Sequence, residues 1–173
     1  HRRLHPNVPA PSLRDKVDNV MEKAASNALW LLPFLLVLVS LASLAQHDGW
    51  RLLLFPPIVV IGFEMFAHPM VCPWAVRPWH LPLACALSAL AGVAAISLLG
   101  PGFGAVVSMM MGLLILRAID LHAPPVLAVG LLPTIMIHPT YAFVALVLAS
   151  TMMMTITFRI WQTICLYWMG RPR

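Results

Sequence analysis

Residues 81–121 read LPLACALSALAGVAAISLLGPGFGAVVSMMMGLLILRAIDL, and they constrain the architecture more than any other segment. This stretch contains two charged residues, both within its last five positions. A helix needs roughly 20 residues to cross about 30 Å of hydrocarbon. The Gly-Pro-Gly at 100–102 divides the stretch into two such lengths. The sequence therefore predicts two membrane-spanning helices, 81–99 and 103–121, joined by a tight turn.

The whole chain has the composition of a membrane protein. Of its 173 residues, 61% are hydrophobic and 10% are charged, and the mean hydropathy is +0.87. A soluble domain carries about 25% charged residues, so this chain has too few charges to cover a water-facing surface. Its 11 Lys and Arg residues lie at the chain ends and in loops, where orientation signals and lipid headgroups account for them without nucleic acid.

Four more apolar segments complete the expected fold class, which is an all-α polytopic transmembrane bundle with six crossings. The expected spans are, in order, 28–46, 52–67, 81–99, 103–121, 124–137 and 141–161. The fifth is short and broken by proline, so a re-entrant loop is the alternative there. The domains are then a basic, amphipathic N-terminal arm at 1–27, a transmembrane domain at 28–161 and a tail at 162–173.

The placement of Lys and Arg predicts the orientation. With six crossings, ten basic residues lie on one side of the membrane, and Arg51 alone lies on the other. Basic residues are enriched in cytoplasmic loops, so we expect both termini in the cytoplasm and the protein in a bacterial inner membrane. A re-entrant fifth segment would place the C-terminal arginines outside, which the same rule disfavours.

Two of the expected spans share a pattern. The second contains PPIVVIG at 56–62, the fifth contains PPVLAVG at 124–130, and a His-Pro pair follows each. We interpret this as two three-helix units, the second inverted relative to the first, as in many secondary transporters. The alternative is that the prolines only mark helix starts, where proline is favoured anyway.

Small residues recur every four positions on the third and fourth spans. Such stripes let helix backbones approach closely inside a membrane, so we expect a tight antiparallel hairpin, with packing within one subunit or between subunits of a homo-oligomer. The six packing residues are Ala84, Ser88, Gly92, Gly104, Ser108 and Gly112.

A few polar residues in or beside the spans are candidates for function. Glu64 is the acidic residue deep inside an expected span, where a carboxyl must face a partner or a wet cavity. It either contacts substrate or carries a proton, or it is a neutral, hydrogen-bonded strut. Arg117 either forms a local ion pair with Asp120 or, together with His122, presents positive charge to an anion.

No pattern in the chain indicates catalysis. Ser-His-Asp, HExxH, P-loop and GxGxxG arrangements are missing from the sequence, so we expect neither an enzyme nor a cofactor. Three cysteines without paired spacing predict neither a disulfide framework nor a zinc ribbon. The soft donors of HPMVC at 68–72 leave a soft-metal carrier as an alternative, although methionine also fills irregular packing, and we expect no metal site.

The stretch LHAPPVLA at 121–128, which follows an apolar helix with a basic residue near its end, resembles the signature of the HPP family of integral membrane proteins. A second likeness joins Gly62-Phe63, Pro78 and the SALAGV at 88–93. The chain departs from the family pattern at a few positions. These are Ala123 inside the signature, Glu64 and Met65 where small residues are usual, and Trp79-His80 where Arg-Asn is usual.

The resemblance implies a membrane transport protein, because some HPP relatives in plastids and cyanobacteria are linked to nitrite transport. We therefore expect a transporter or channel-like permease for a small anion such as nitrite. Helix starts expose N–H groups and a positive dipole end that suit an anion. The expected substrate-binding residues are His122, Pro124, Pro125, Arg117, Glu64, Gly62, Pro56 and Pro57.

The alternative function is a non-transporting integral membrane subunit that packs within a larger complex. The small size of the chain and its departures from the family pattern favour this second interpretation. The expected partners are the lipid bilayer, a small anion and further copies of the chain, with other membrane subunits as the alternative.

Overall fold

A computed structural model describes residues 15, 19–20, 22, 28–46 and 54–169, and the regular elements in these ranges are all helical. They are α1 (Leu31–Leu44), α2 (Pro56–Ala67), α3 (Pro73–Val76), α4 (His80–Ile119), α5 (Pro124–Leu131), a 3-10 helix (Leu132–Ile135) and α6 (Ala142–Met169). The predicted all-α class is confirmed. Two helices, α4 and α6, are long and apolar enough to cross a membrane, and the other apolar helices are shorter.

Several predicted features lie outside the described residues. They include most of the N-terminal arm, the link between the first two expected spans, Arg51 and the last four residues. Within the arm, positions 15, 19, 20 and 22 are helical, and Val20 is buried in the hydrophobic core.

Helix α4 is a hairpin. Gly100 has φ 78° and ψ 170°, which breaks the helix and which glycine tolerates best. A Cβ on Gly104 would lie 2.8 Å from Cα of Ile96, and a Cβ on Gly112 would lie 3.5 Å from Oγ of Ser88. In each pair, the two residues are the same number of positions from Gly100, four for Gly104 and Ile96 and twelve for Gly112 and Ser88. The first arm (80–99) and second arm (101–119) therefore run antiparallel.

Helix α5 lies in the groove between these two arms. The Ser88 hydroxyl of the first arm donates to the carbonyl of Val126 at 2.8 Å, and the Ser108 hydroxyl of the second donates to that of Gly130, also at 2.8 Å. A Cβ on Gly92 would collide with the Gly130 carbonyl. The small residues therefore seat α5 as well as the hairpin, a contact that the sequence analysis did not predict.

These contacts also determine the direction of α5. Val126 is level with Ser88, and Gly130 with Gly92, so α5 runs parallel to the first arm, towards the turn at Gly100. We call the end where both arms of α4 meet the neighbouring loops the base, and the end with the Gly100 turn the tip. The base includes Trp30, Ala67, His80, Ile119 and Pro124, and the tip includes Leu44, Phe55, Gly100, Ile135 and Ala142.

Aromatic contacts join the remaining helices near the base. The ring of Phe66 in α2 lies 6.0 Å from that of Phe34 in α1 and 5.3 Å from that of Phe158 in α6. Thr155 of α6 donates to the Pro78 carbonyl at 3.4 Å. In the described residues α1, α2, the two arms, α5 and α6 therefore alternate in direction. Helix α6 continues to Met169, beyond the end at 161 predicted for the last span.

The fifth segment changes helix type because of a proline. Pro133 has no N–H to continue the α-helical pattern, and the chain tightens into the 3-10 helix Leu132–Ile135. The Thr134 hydroxyl donates to the Leu131 carbonyl at 2.6 Å and satisfies that acceptor. The segment is thus short for the reason that its sequence indicated.

We expect Gly92→Ala to lower the free energy of unfolding by about 1–3 kcal/mol, because the added methyl meets the Gly130 backbone rather than a flexible side chain. Thermal unfolding of the purified protein in detergent measures this effect. Gly102→Ala is the matched control, since nothing lies within 4 Å of a Cβ there. Equal unfolding temperatures for the two variants would contradict the seating of α5 by Gly92.

Candidate functional site

The second arm ends at the base in a Schellman motif. Asp120 adopts the left-handed conformation, with φ 53° and ψ 47°, and its N–H donates to the Arg117 carbonyl at 3.3 Å. The Leu121 N–H donates to the Leu116 carbonyl at 3.0 Å, and both leucines are buried, as this motif requires. Aspartate visits this conformation more readily than most residues. The turn holds His122 at the base.

Two prolines then start α5. Ala123 (φ −133°, ψ 80°) lies outside the α-helical region, which is disfavoured for a residue before proline. Pro124 and Pro125 have no N–H, and the Val126 N–H donates to the Ala123 carbonyl at 3.0 Å. Helix α2 begins in the same way, with Ile58 donating to Phe55 at 2.9 Å. The first turns of α2 and α5 therefore lack the free N–H groups that we expected to bind an anion. Of the two features expected there, only the positive end of the helix dipole remains.

An open cavity of about 690 Å³ lies at the base, beside the second arm and the start of α5. Its polar wall consists of Arg117, Asp120 and His122, which are all exposed. Its apolar wall includes Leu113 and Leu127. A fixed cation and an imidazole thus face one water-accessible space.

A second open cavity of about 400 Å³ adjoins the first. It is lined by the end of α2 and by the segment that leads into α3, including Glu64, His68 and Cys72. Both cavities share three lining residues, Pro73, His122 and Pro124. His122 therefore forms part of the boundary between them.

Glu64 has a partner and a cavity, as we expected of a carboxyl in a span. Its Oε2 lies 3.3 Å from Nδ1 of His68, one helical turn later, and the two side chains are 41% and 53% exposed. Among the residues that the structure describes, no other acidic and basic side chains lie within 4.0 Å of each other, so Arg117 and Asp120 do not form the ion pair considered above. His68 was not predicted as the partner of Glu64, although the i,i+4 spacing of the two residues was the available signal.

Four predicted site residues do not line either cavity. The four outside both linings are Pro56, Pro57, Gly62 and Pro125. The four that line a cavity are Arg117, His122, Pro124 and Glu64. Helices α2 and α5 contact each other but run antiparallel, so their Pro-Pro starts lie at opposite ends of the bundle. A single site built from both starts is therefore wrong in this geometry.

Gly62 serves packing instead of substrate binding. A Cβ at this position would lie 2.7 Å from side-chain atoms of both Met154 and Phe34. The glycine therefore lets α2 approach α1 and α6 closely.

The sulfur atoms of the HPMVC segment occupy different environments. Met70 is exposed, whereas Cys72 is buried, and desolvation raises the pKa of the Cys72 thiol to about 12, against hydrogen bonds from the backbone of Ala75 and Trp74 that lower it. Throughout the described ranges, no three His, Cys, Asp or Glu side chains are grouped so that they could hold a metal ion.

Comparisons with known proteins do not identify the site. The chain matches no protein-family model, no curated protein and no solved structure.

We expect the three cysteines to react with a maleimide at least about a hundredfold more slowly in the folded protein than after denaturation, since Cys72, Cys85 and Cys165 are buried and only the thiolate is reactive. Mass spectrometry at pH 7 counts the modified sites over time, with the protein denatured in SDS as the control. Labelling of Cys72 at the denatured rate would show that its surroundings are open.

Proposed function

We propose that this protein is a permease that moves a small anion across a bacterial inner membrane through six helical segments. One observation carries the proposal: Arg117 and His122 face a water-accessible cavity at the base, beside a helix that runs between the arms towards the tip. A guanidinium binds small oxyanions through charge-assisted hydrogen bonds. Nitrite is the proposed anion, which the likeness of residues 121–128 to the HPP signature supports.

Six crossings are supported by the alternating directions of the segments. Helix α5 and its 3-10 extension span about 20 Å from base to tip, and α6 returns to the base. A re-entrant loop would bring residues 136–141 back to the base, but they connect to α6 at the tip. The three arginines in the described residues, Arg77, Arg117 and Arg159, all lie at the base, which supports a cytoplasmic base.

The inverted-repeat interpretation is supported by the paired helices α2 and α5. Each begins with Pro-Pro at its first two positions, and each segment is 12 residues long and ends at Ala67 or at Ile135. The two helices contact each other in opposite directions. An inverted pair of three-helix units requires this relation between their middle helices.

The proposed topology predicts which positions an impermeant maleimide reaches from outside the cell. We expect Gln46→Cys and His138→Cys, both exposed at the tip, to be labelled in intact cells. Arg77→Cys and Ala118→Cys, exposed at the base, should be labelled only after permeabilisation. The buried native cysteines keep the background low. Protection of His138→Cys in intact cells would show that the fifth segment re-enters.

The proposed anion site predicts the effect of removing its positive groups. We expect Arg117→Ala and His122→Ala each to reduce nitrite uptake into proteoliposomes about tenfold or more, because a hydrogen bond to a charged group contributes about 1.5–3 kcal/mol. Arg117→Lys should recover part of the loss because it restores the charge.

Arg159→Ala is the matched control. Arg159 is also an exposed arginine at the base, but it donates to Gln162 at 3.1 Å and lines neither cavity. We expect wild-type uptake from this variant. No uptake by the wild-type protein, together with tight co-purification of a fixed partner, would overturn the proposal and favour the non-transporting membrane subunit.

A further inference from the structure

We propose that the two cavities together bind the anion with protons, so that His68 and His122 couple anion transport to proton movement in the same direction. This inference rests on the proposed permease function and adds its coupling ion. It depends on the charge of the cavity linings, on the position of His122 between the cavities and on the Glu64–His68 contact.

The fixed charges of the linings do not favour an anion by themselves. Arg117 contributes one positive charge, and Asp120 and Glu64 contribute one negative charge each. Cys72 is a neutral thiol, because burial raises its pKa to about 12. With both histidines neutral, the joined cavities therefore carry a net charge of −1, which repels an anion.

Protonation of the histidines reverses this sign. Histidine is the side chain that changes charge between pH 5 and 8, and with His68 and His122 both charged the linings carry +1. The remaining elements at the cavities, α3 and α5, contribute the uncharged residues Pro73, Trp74, Pro124 and Leu127. Within the described lining, no other group can supply the missing positive charge.

The two histidines have different surroundings. His68 lies 3.3 Å from Glu64, so a proton on His68 neutralises that carboxylate and removes its repulsion of the anion. His122 lines both cavities and shares the larger one with Arg117. A proton on His122 therefore gives the anion a second positive contact. Both protons come from water on the side where the anion enters, and they leave to water on the other side with it.

Proteoliposomes with equal pH inside and outside test the pH dependence, with nitrite as the probe. We expect wild-type uptake to be about tenfold or more higher at pH 5.5 than at pH 7.5, because histidine is the side chain that gains a proton over this range. Protein-free vesicles at each pH measure the diffusion of nitrous acid, which is subtracted.

Proton movement is measured directly in vesicles that contain a pH-sensitive dye, with the membrane potential clamped by potassium and valinomycin. An inward nitrite gradient should acidify the interior faster with the wild-type protein than in protein-free vesicles. This readout does not depend on how fast the anion moves at one chosen pH.

Three substitutions separate coupling from a purely structural role. Glu64→Gln makes the fixed charge of the linings zero, so uptake at pH 7.5 should rise several-fold and the pH profile should flatten. His122→Gln and His68→Gln should each reduce the rise at acidic pH several-fold. His138→Gln is the matched control, because His138 is an exposed histidine at the tip outside both linings and should keep the wild-type profile.

Failure of the coupling and failure of the permease would give different results. Wild-type nitrite uptake that is equal at pH 5.5 and 7.5, without acidification of the interior, would refute coupling and leave the permease intact. Absence of nitrite uptake at every pH would refute the permease and the coupling with it. A Glu64→Gln variant with the wild-type pH profile would also remove the Glu64–His68 pair from the mechanism.

Discussion

The close approach of Gly92 to the carbonyl of Gly130 determines where the functional residues lie. Lipid provides no hydrophobic force to bring helices together, so α5 is held by backbone contact and by the hydroxyls of Ser88 and Ser108. Because α5 is seated along its length, its first residues have a defined position at the base. The linings of both cavities depend on that position, since each includes Pro124 and the adjoining loop.

A second constraint concerns charge. The residues of the two linings come from α2, α3, the second arm, α5 and the loops at 68–72 and 121–123, and several of these segments are far apart in the chain. The antiparallel order of the helices brings their basal ends together, and the turn at Asp120 directs His122 towards α2. The resulting surface carries both signs of charge and two histidines, so its net charge depends on whether the histidines are protonated.

Several features could be predicted from local sequence. The hairpin follows from Gly100 and from small residues at four-residue intervals, because both act over short distances. Pro-Pro pairs start α2 and α5 as expected. The same local reasoning failed where a contact joined distant segments: it assigned the small stripes to the hairpin alone, and it placed Pro56 and Pro124 in one site. It also overlooked that proline, by lacking an N–H, removes the donors that an anion would use at a helix start.

The sequence by itself determined that the chain is helical and largely apolar, and it located the starts of the expected helices to within about four residues, because hydropathy, proline and glycine act on the residues beside them. Only the tertiary structure decided that α5 packs between the arms of α4, that Glu64 and His122 line adjoining cavities, and that the Pro-Pro starts lie at opposite ends. These relations depend on helix direction and on the fit between surfaces, which are properties of pairs of segments and not of any one of them.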